Sequence, residues 1–350
     1  MLIRSALDAL RRPALIAIVA LLATCVPALF AGVARAAAPT QLSAGANPAS
    51  VVYPGSAAIS GAIVGVPGAG LSLLARPSGA ADWSPAGSTT AGADGAFRFR
   101  VSPAVITDYR VEYAGDLDHD AAAADVSVRV RPLVTTSFPV SLWLGGSIVL
   151  RGAVAPAHPG ATVTIDRRVA GVWQQLTTAT LNADSRLSLR WTPEAFGYFR
   201  LRARMDADAD HDAGRASAEL VIVNRPNAHR VPFKYAHYIV NVRHEYRLYY
   251  YEHGALVRRF KVALGRPGYR TPLGYFRIYG KRRPAGGALG SCAMYYRRQG
   301  GIAIHGTNQP HLLRRSLPRD FSHGCTRMRN RDALWLYERC PVGTRVHNTR

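Results

Sequence analysis

The chain has 350 residues, 48% hydrophobic and 19% charged, a composition too long for one average domain and too apolar for intrinsic disorder. With 44 Lys or Arg against 22 Asp or Glu it carries +22, a charge that ordinarily meets an anion such as nucleic acid, membrane or cell wall. The excess is localised: residues 1–36 carry +3, residues 37–226 are neutral, and residues 227–350 hold 24 basic against five acidic side chains. Lys occurs only at 234, 261 and 281, so the cations are nearly all Arg, as an Arg- and Ala-favouring coding bias produces. Arg abundance alone therefore does not argue for phosphate recognition.

Arg4, Arg11 and Arg12 precede an apolar run from Pro13 to Phe30, followed by Ala34-Arg35-Ala36-Ala37-Ala38-Pro39. This is the pattern of a secretory signal, expected to be cut after Ala36 or Ala38. An uncleaved anchor is the rival, because about 18 apolar residues can span a bilayer, but Pro27 and the small-residue site favour cleavage. Leu22-Ala23-Thr24-Cys25 faintly resembles a lipoprotein box, in which Thr24 has the wrong size. The expected location is the periplasm or cell wall, which removes nucleic acid as a partner and leaves membrane contact only to an uncleaved leader. Cys292, Cys325 and Cys340 remain in the exported chain. A Cys292–Cys340 disulfide that leaves Cys325 as a thiol is one reading, and three unpaired cysteines the other.

Residues 40–226 read as short alternating strands broken by Gly, Pro, Asn and Asp, with no long helical period. The segment repeats itself. Pro54 to Gly61 aligns with Gly145 to Gly152, Trp83 with Trp173, and Asp118-His119-Asp120 with Asp210-His211-Asp212, at spacings of 90 to 92 residues. That period suits one immunoglobulin-like sandwich per repeat, 40–132 and 133–226. Asp206, Asp208, Asp210 and Asp212 alternate as calcium ligands do, but His211 and Ser217 stand where an EF-hand loop needs Gly and Glu. A solvated acidic turn is the plainer reading. Neither repeat pairs a nucleophile with a base, so both read as spacers, with Pro226 and Asn227-Ala228-His229 as the linker to the basic C-terminal third.

From Arg230 onward, aromatic and β-branched strands over 238–242, 247–251 and 257–262 announce a β-rich domain. Its chemistry lies in Ile304-His305-Gly306-Thr307 and Ser322-His323-Gly324-Cys325-Thr326-Arg327. Cys attacks carbonyls as thiolate, and a His within reach lowers its pKa and accepts its proton. Gly324 opens space for a substrate carbonyl beside backbone N–H groups. His305 follows the apolar Ile302-Ala303-Ile304 and precedes Gly306, the place for a general base at a strand end. The plain alternative for the cysteine is a small hydrophobic core residue.

These residues resemble the catalytic domain of the L,D-transpeptidases, the YkuD family of cell-wall enzymes. The family's pattern is a His, a short spacer, then Ser or Thr, His, Gly and Cys; here His305, residues 306–321 and Ser322 to Cys325 supply it. Gly265, Thr271-Pro272-Leu273-Gly274, Asp332 to Tyr337 and Gly343 to Val346 extend the likeness over 235–349, and two preceding immunoglobulin-like domains resemble the layout of actinobacterial members. The fold class so implied is mainly β: two sandwiches, then a β-rich catalytic domain with a short C-terminal helix.

Residue by residue, the resemblance implies Cys325 as nucleophile, His305 as proton acceptor and donor, and the Gly306 carbonyl as its orienter. Ser322 and His323 belong to the same catalytic group, with His323 lining the site, and the N–H groups of Gly324 and Cys325 form the oxyanion hole. Arg327 holds a substrate carboxylate or, equally, a structural ion pair. Thr307, Tyr295 and Tyr296 are further candidates for substrate contact, the tyrosines on a Gly-rich segment, 281–301, read as a lid or as a plain basic loop. Thr326 departs from the family, where an aliphatic residue is more usual. The implied reaction needs no cofactor, and no metal ligands are assigned. Cys325 attacks a tetrapeptide stem of peptidoglycan, expels D-alanine and passes the acyl group to a second stem as a 3→3 cross-link, with carbapenem-type β-lactams as inhibitors. Water as acceptor would make an L,D-carboxypeptidase, a protein amine a protein-to-wall attachment enzyme, and a decayed site a wall-binding module.

Overall fold

The computed structural model describes residues 37–313 and 320–350. The leader expected over 1–36 lies outside the described residues, and no helix among them is long and apolar enough to cross a membrane.

In the first unit a three-stranded sheet, ordered Leu42–Asn47, Ala57–Ile63, Ala96–Val101, accompanies a five-stranded one ordered Ser50–Val52, Ala122–Arg131, Thr107–Tyr113, Gly70–Pro77, Ser84–Thr90. Period-2 alternation makes the core: along Ala96–Val101, Phe97, Phe99 and Val101 turn inward and Arg98 and Arg100 outward. They join Ile59, Leu71, Leu73, Val111 and Val128, drawn from both sheets, in one buried cluster. The second unit repeats the plan, with Leu150, Ile165, Leu187, Leu201 and Val221 at its centre.

The aligned residues do equivalent work in both copies. A Cβ on Gly61 would lie 1.8 Å from the Ser43 carbonyl, and one on Gly152 2.6 Å from that of Thr135, so the paired glycines exist because a neighbouring strand passes too close for a side chain. Trp83 lies against Arg76 and Arg110, and Trp173 against Arg168 and Arg202. The units also touch each other. Asp212 N–H donates to Val130 at 2.8 Å, Ile106 N–H to Asp210 at 2.8 Å, and Arg129 pairs with the Asp212 carboxylate. The expected linker is packed too: the Val231 N–H donates to Asn227 Oδ1, and His229 bonds the Tyr251 hydroxyl.

The C-terminal unit has a five-stranded sheet ordered Ala255–Lys261, Arg247–Glu252, Tyr238–Val242, Arg345–Thr349, Gly274–Arg277. All five residues of Tyr238–Val242 are buried, because Ile239 packs into one cluster and Tyr238, Val240 and Val242 into another on the opposite face. A four-stranded sheet comes next: Gly280–Arg282, Ala293–Arg297, Ile302–His305, Thr326–Arg327, the last pair parallel. The helix Asn330–Arg339 buries Ala333 and Leu336 in the same core, and Arg258 and Arg339 flank its Trp335.

This sheet corrects the reading of 281–301 as a lid. Tyr295, Tyr296 and Arg297 lie on a central strand paired on both sides. Lys281 Nζ donates to the Tyr337 carbonyl at 2.5 Å, and Arg283 pairs with Glu338 at 3.3 Å. The remaining loop carries Gly286, Gly287 and Gly290 at positive φ, and a Cβ on Gly290 would meet Thr307 N at 2.4 Å.

Candidate active site

Parallel pairing of Ile304 with Thr326 and His305 with Arg327 sets Cys325 opposite Ala303, two residues before His305 on the same face of its strand. The Ala303 N–H points at Cys325 Sγ from 3.4 Å, and Sγ lies 3.9 Å from the Gly301 carbonyl. The loop that delivers the thiol is pinned by Ser322, fully buried, whose hydroxyl donates to the Cys325 carbonyl at 2.6 Å and accepts the Gly324 N–H at 3.2 Å. Gly324 sits at φ +111°, where a Cβ would also press within 2.8 Å of Ile302 Cδ1.

His305 is 1% exposed, with Nδ1 2.5 Å from the Gly306 carbonyl. A carbonyl only accepts, so Nδ1 carries the proton and the neutral ring keeps its lone pair on Nε2. Burial pushes the imidazole down to about 4, the Gly306 and Leu289 carbonyls pull it up, and the Arg327 charge pushes it down. Burial also raises the Cys325 thiol, against the Ala303 N–H and Arg327. The resting pair is therefore thiol and neutral imidazole. At the thiol, desolvation outweighs the help from Ala303 and Arg327.

Several expected site residues are placed elsewhere. Thr307 is fully buried, its hydroxyl accepting the Gln309 N–H at 3.0 Å, so it presents no surface to a substrate. Tyr296, 4% exposed, bonds Asn348 beneath the sheet, whereas Tyr295 packs in the small cluster that includes Cys325. Pleating allows only one of two adjacent tyrosines to face the thiol. The Gly324 N–H is committed to Ser322, leaving the Cys325 N–H as the one candidate oxyanion donor of that pair. His323 is exposed, with Nε2 2.8 Å from Arg266 and its ring against Tyr269. Arg327 has a buried Nε with no hydrogen-bond partner, and no carboxylate among the described residues pairs with it, which removes the structural ion pair.

Two residues went unnoticed in the sequence. Asn330 Oδ1 accepts the N–H groups of Thr307 at 2.9 Å and Ser291 at 3.1 Å, buckling the Gly306 turn to the helix start. Asn241 donates to the Thr326 hydroxyl at 3.0 Å, which explains the departure at 326: a buried polar pair stands in place of an aliphatic contact.

Cys292 and Cys340 are both fully buried free thiols, so the disulfide reading is corrected. Burial raises both, Cys340 to about 12. In the native protein only Cys325 of these three is expected to react with Ellman's reagent, the other two appearing on denaturation. Recovery of a single thiol from unreduced, denatured protein lacking residues 1–36 would restore the disulfide.

A thiol just ahead of one strand and an imidazole at the end of its neighbour form the kind of site used in thiol-dependent acyl transfer. The family model for the YkuD L,D-transpeptidase catalytic domain matches residues 236–347. The YkuD protein of Bacillus licheniformis is 33% identical over 150 residues, 42% of this chain and 86% of that protein. That of Bacillus subtilis strain 168 is 30% identical over 145 residues, 41% of this chain and 83% of its own length. The solved catalytic domain of an Enterococcus faecium L,D-transpeptidase aligns at 23% identity with a TM-score of 0.27, over 32% of this chain and 96% of that one. The chain belongs to the L,D-transpeptidase (YkuD) family.

Proposed function

We propose that this protein is an exported peptidoglycan L,D-transpeptidase that forms 3→3 cross-links through a thioester on Cys325. The observation that carries this reading is the placement of Sγ opposite Ala303, on the same sheet face as a His305 whose proton is held on Nδ1. Sγ attacks the carbonyl of the diaminopimelate residue as its proton passes to His305. The tetrahedral oxyanion is received by the Cys325 N–H. Collapse breaks the C–N bond to the terminal D-alanine, whose amine takes the proton from the imidazolium. The side-chain amine of a second stem then attacks the thioester, gives a proton to His305, and regenerates the thiol.

Arg327, half-buried and with no carboxylate partner among the described residues, supports a role in receiving a substrate carboxylate through the exposed part of its guanidinium. The basic C-terminal unit suits the anionic stems, with residues 40–132 and 133–226 as immunoglobulin-like spacers. Purified tetrapeptide muropeptides should give 3→3 dimers and free D-alanine with the wild type and neither with Cys325→Ala. Tripeptide and D-alanine without dimers would instead mean hydrolysis.

A pH profile tests the neutral resting pair. With the imidazole depressed to about 4, its base form is lost only as pH falls through that region. With the thiol raised, thiolate accumulates only above its ordinary range. Acylation should therefore lack an inflection near 6.5, staying flat from about pH 5.5 to 8. An acid limb centred between 6 and 7 would show that the imidazole is not depressed, and a loss of rate on the alkaline side would show an ion pair at rest.

A further inference from the structure

We infer that the second repeat carries a Zn²⁺-class metal site, formed by His158 Nε2, His211 Nδ1 and the Asp208 carboxylate, where it meets the first. Among the described residues these are the one group of three such ligands whose donor atoms lie within 4.8 Å of one another. Both rings are buried, at 9% and 5% exposure. Each has its outer nitrogen committed to a backbone carbonyl: His158 Nδ1 to Pro156 at 2.6 Å, and His211 Nε2 to Ala104 of the first unit at 2.9 Å. Carbonyls only accept, so these nitrogens carry the protons. The two inner nitrogens, 3.2 Å apart, then both present lone pairs.

A third acceptor joins them. Asp208 Oδ2 is 3.4 Å from His158 Nε2, and Oδ1 is 3.2 Å from His211 Nδ1. Oδ1 is held by the N–H groups of Asp210 at 2.8 Å and His211 at 2.7 Å, so Oδ2 is the oxygen left to bind. Three acceptors with no donor among them repel unless a proton or a metal cation stands between. The edge of a tetrahedron around a metal with bonds of about 2.0–2.1 Å is about 3.3–3.4 Å, close to the 3.2 Å between the two nitrogens and the 3.4 Å from Oδ2 to His158 Nε2. Imidazole donors held by carbonyls on their far side are the usual histidine ligands. Two nitrogens and one oxygen favour Zn²⁺ over Ca²⁺, which takes oxygen. The fourth position falls to water on the side of Asp208, whose side chain is 37% exposed.

The first repeat supplies an internal comparison. Asp116 and His119 form the same loop 92 residues earlier, with Asp116 Oδ1 accepting the His119 N–H at 2.8 Å. At that spacing His158 corresponds to Val66, and the turns coincide: Ala69 N–H donates to Val66 at 3.3 Å, and Ala161 N–H to His158 at 3.2 Å. The first repeat thus folds this turn with a valine, and its histidine stays partly exposed. The second carries His158 at that core position. Bound metal would join the 155–160 and 206–212 loops and, through His211 on Ala104, stiffen the joint between the units.

The test uses the full chain with Cys25→Ser and Cys325→Ser, which leaves only the buried thiols of Cys292 and Cys340, stripped with EDTA and dialysed against micromolar Zn²⁺. One Zn²⁺ per chain should be retained, with a raised Tm and an X-ray absorption shell of N/O ligands at about 2.0–2.1 Å without sulfur at about 2.3 Å. His158→Val, the residue the first repeat uses, should fold and bind Zn²⁺ about 100-fold more weakly. Absence of retained Zn²⁺, a sulfur shell, or undiminished binding in His158→Val would overturn the site and leave the pair bridged by a proton.

Discussion

A carbapenem is expected to form a one-to-one covalent adduct with the full chain, at Cys325 alone, raising the intact mass by that of the drug. The β-lactam carbonyl is a strained amide whose C–N bond breaks on attack, so it needs what the site offers: a nucleophile, a base and a partner for a carboxylate. Sγ and His305 supply the first two, and the half-buried Arg327, with no carboxylate partner among the described residues, suits the third. Cys292 and Cys340 offer no competition because both are fully buried. Cys325→Ala should abolish the adduct. Arg327→Gln should slow acylation about 10- to 100-fold, the loss expected on removal of a charge-assisted hydrogen bond of about 1.5–3 kcal/mol. An adduct that persists in Cys325→Ala, or none in the wild type, would overturn the assignment of the nucleophile.

What could be read from the sequence was what local chemistry dictates. Gly61 and Gly152 stood out as a repeat because each is pressed against a neighbouring carbonyl that admits no side chain. Ser322 to Cys325 stood out because the turn needs Gly at positive φ and a hydroxyl to bridge it. What stayed hidden depends on pairing at a distance. Residues 281–301 read as a lid because glycines flank the short strand Ala293–Arg297, whose central place appears only once Gly280–Arg282 and Ile302–His305 pair with it. Thr307 lies two residues after His305 in sequence, yet its hydroxyl turns to the Gln309 N–H. The alternating aspartates at 206–212 drew attention to calcium, whereas the buried pair was His211 with His158, 53 residues earlier.

Asn330 illustrates the same limit and gives the second large effect. An Asn at a helix start ordinarily reads as a helix-terminus residue. Here its Oδ1 instead gathers the Thr307 and Ser291 N–H groups around Gly306, whose carbonyl orients His305. Asn330→Ala should leave two amides without their acceptor, costing about 1–3 kcal/mol each if water does not replace it. Loss of the fixed Gly306 carbonyl should slow carbapenem acylation about 100-fold, the usual cost of misplacing a catalytic group by about 1 Å. Native thiol reactivity at Cys325 should persist. Gly306→Ala reaches the same end from the other side, since its Cβ would lie 2.1 Å from Asn330 Oδ1. If both substitutions act through this one contact, the double variant should be no slower than the slower single, because removing the amide makes room for the methyl. Independent, multiplying losses would mean that Gly306 and Asn330 serve His305 separately.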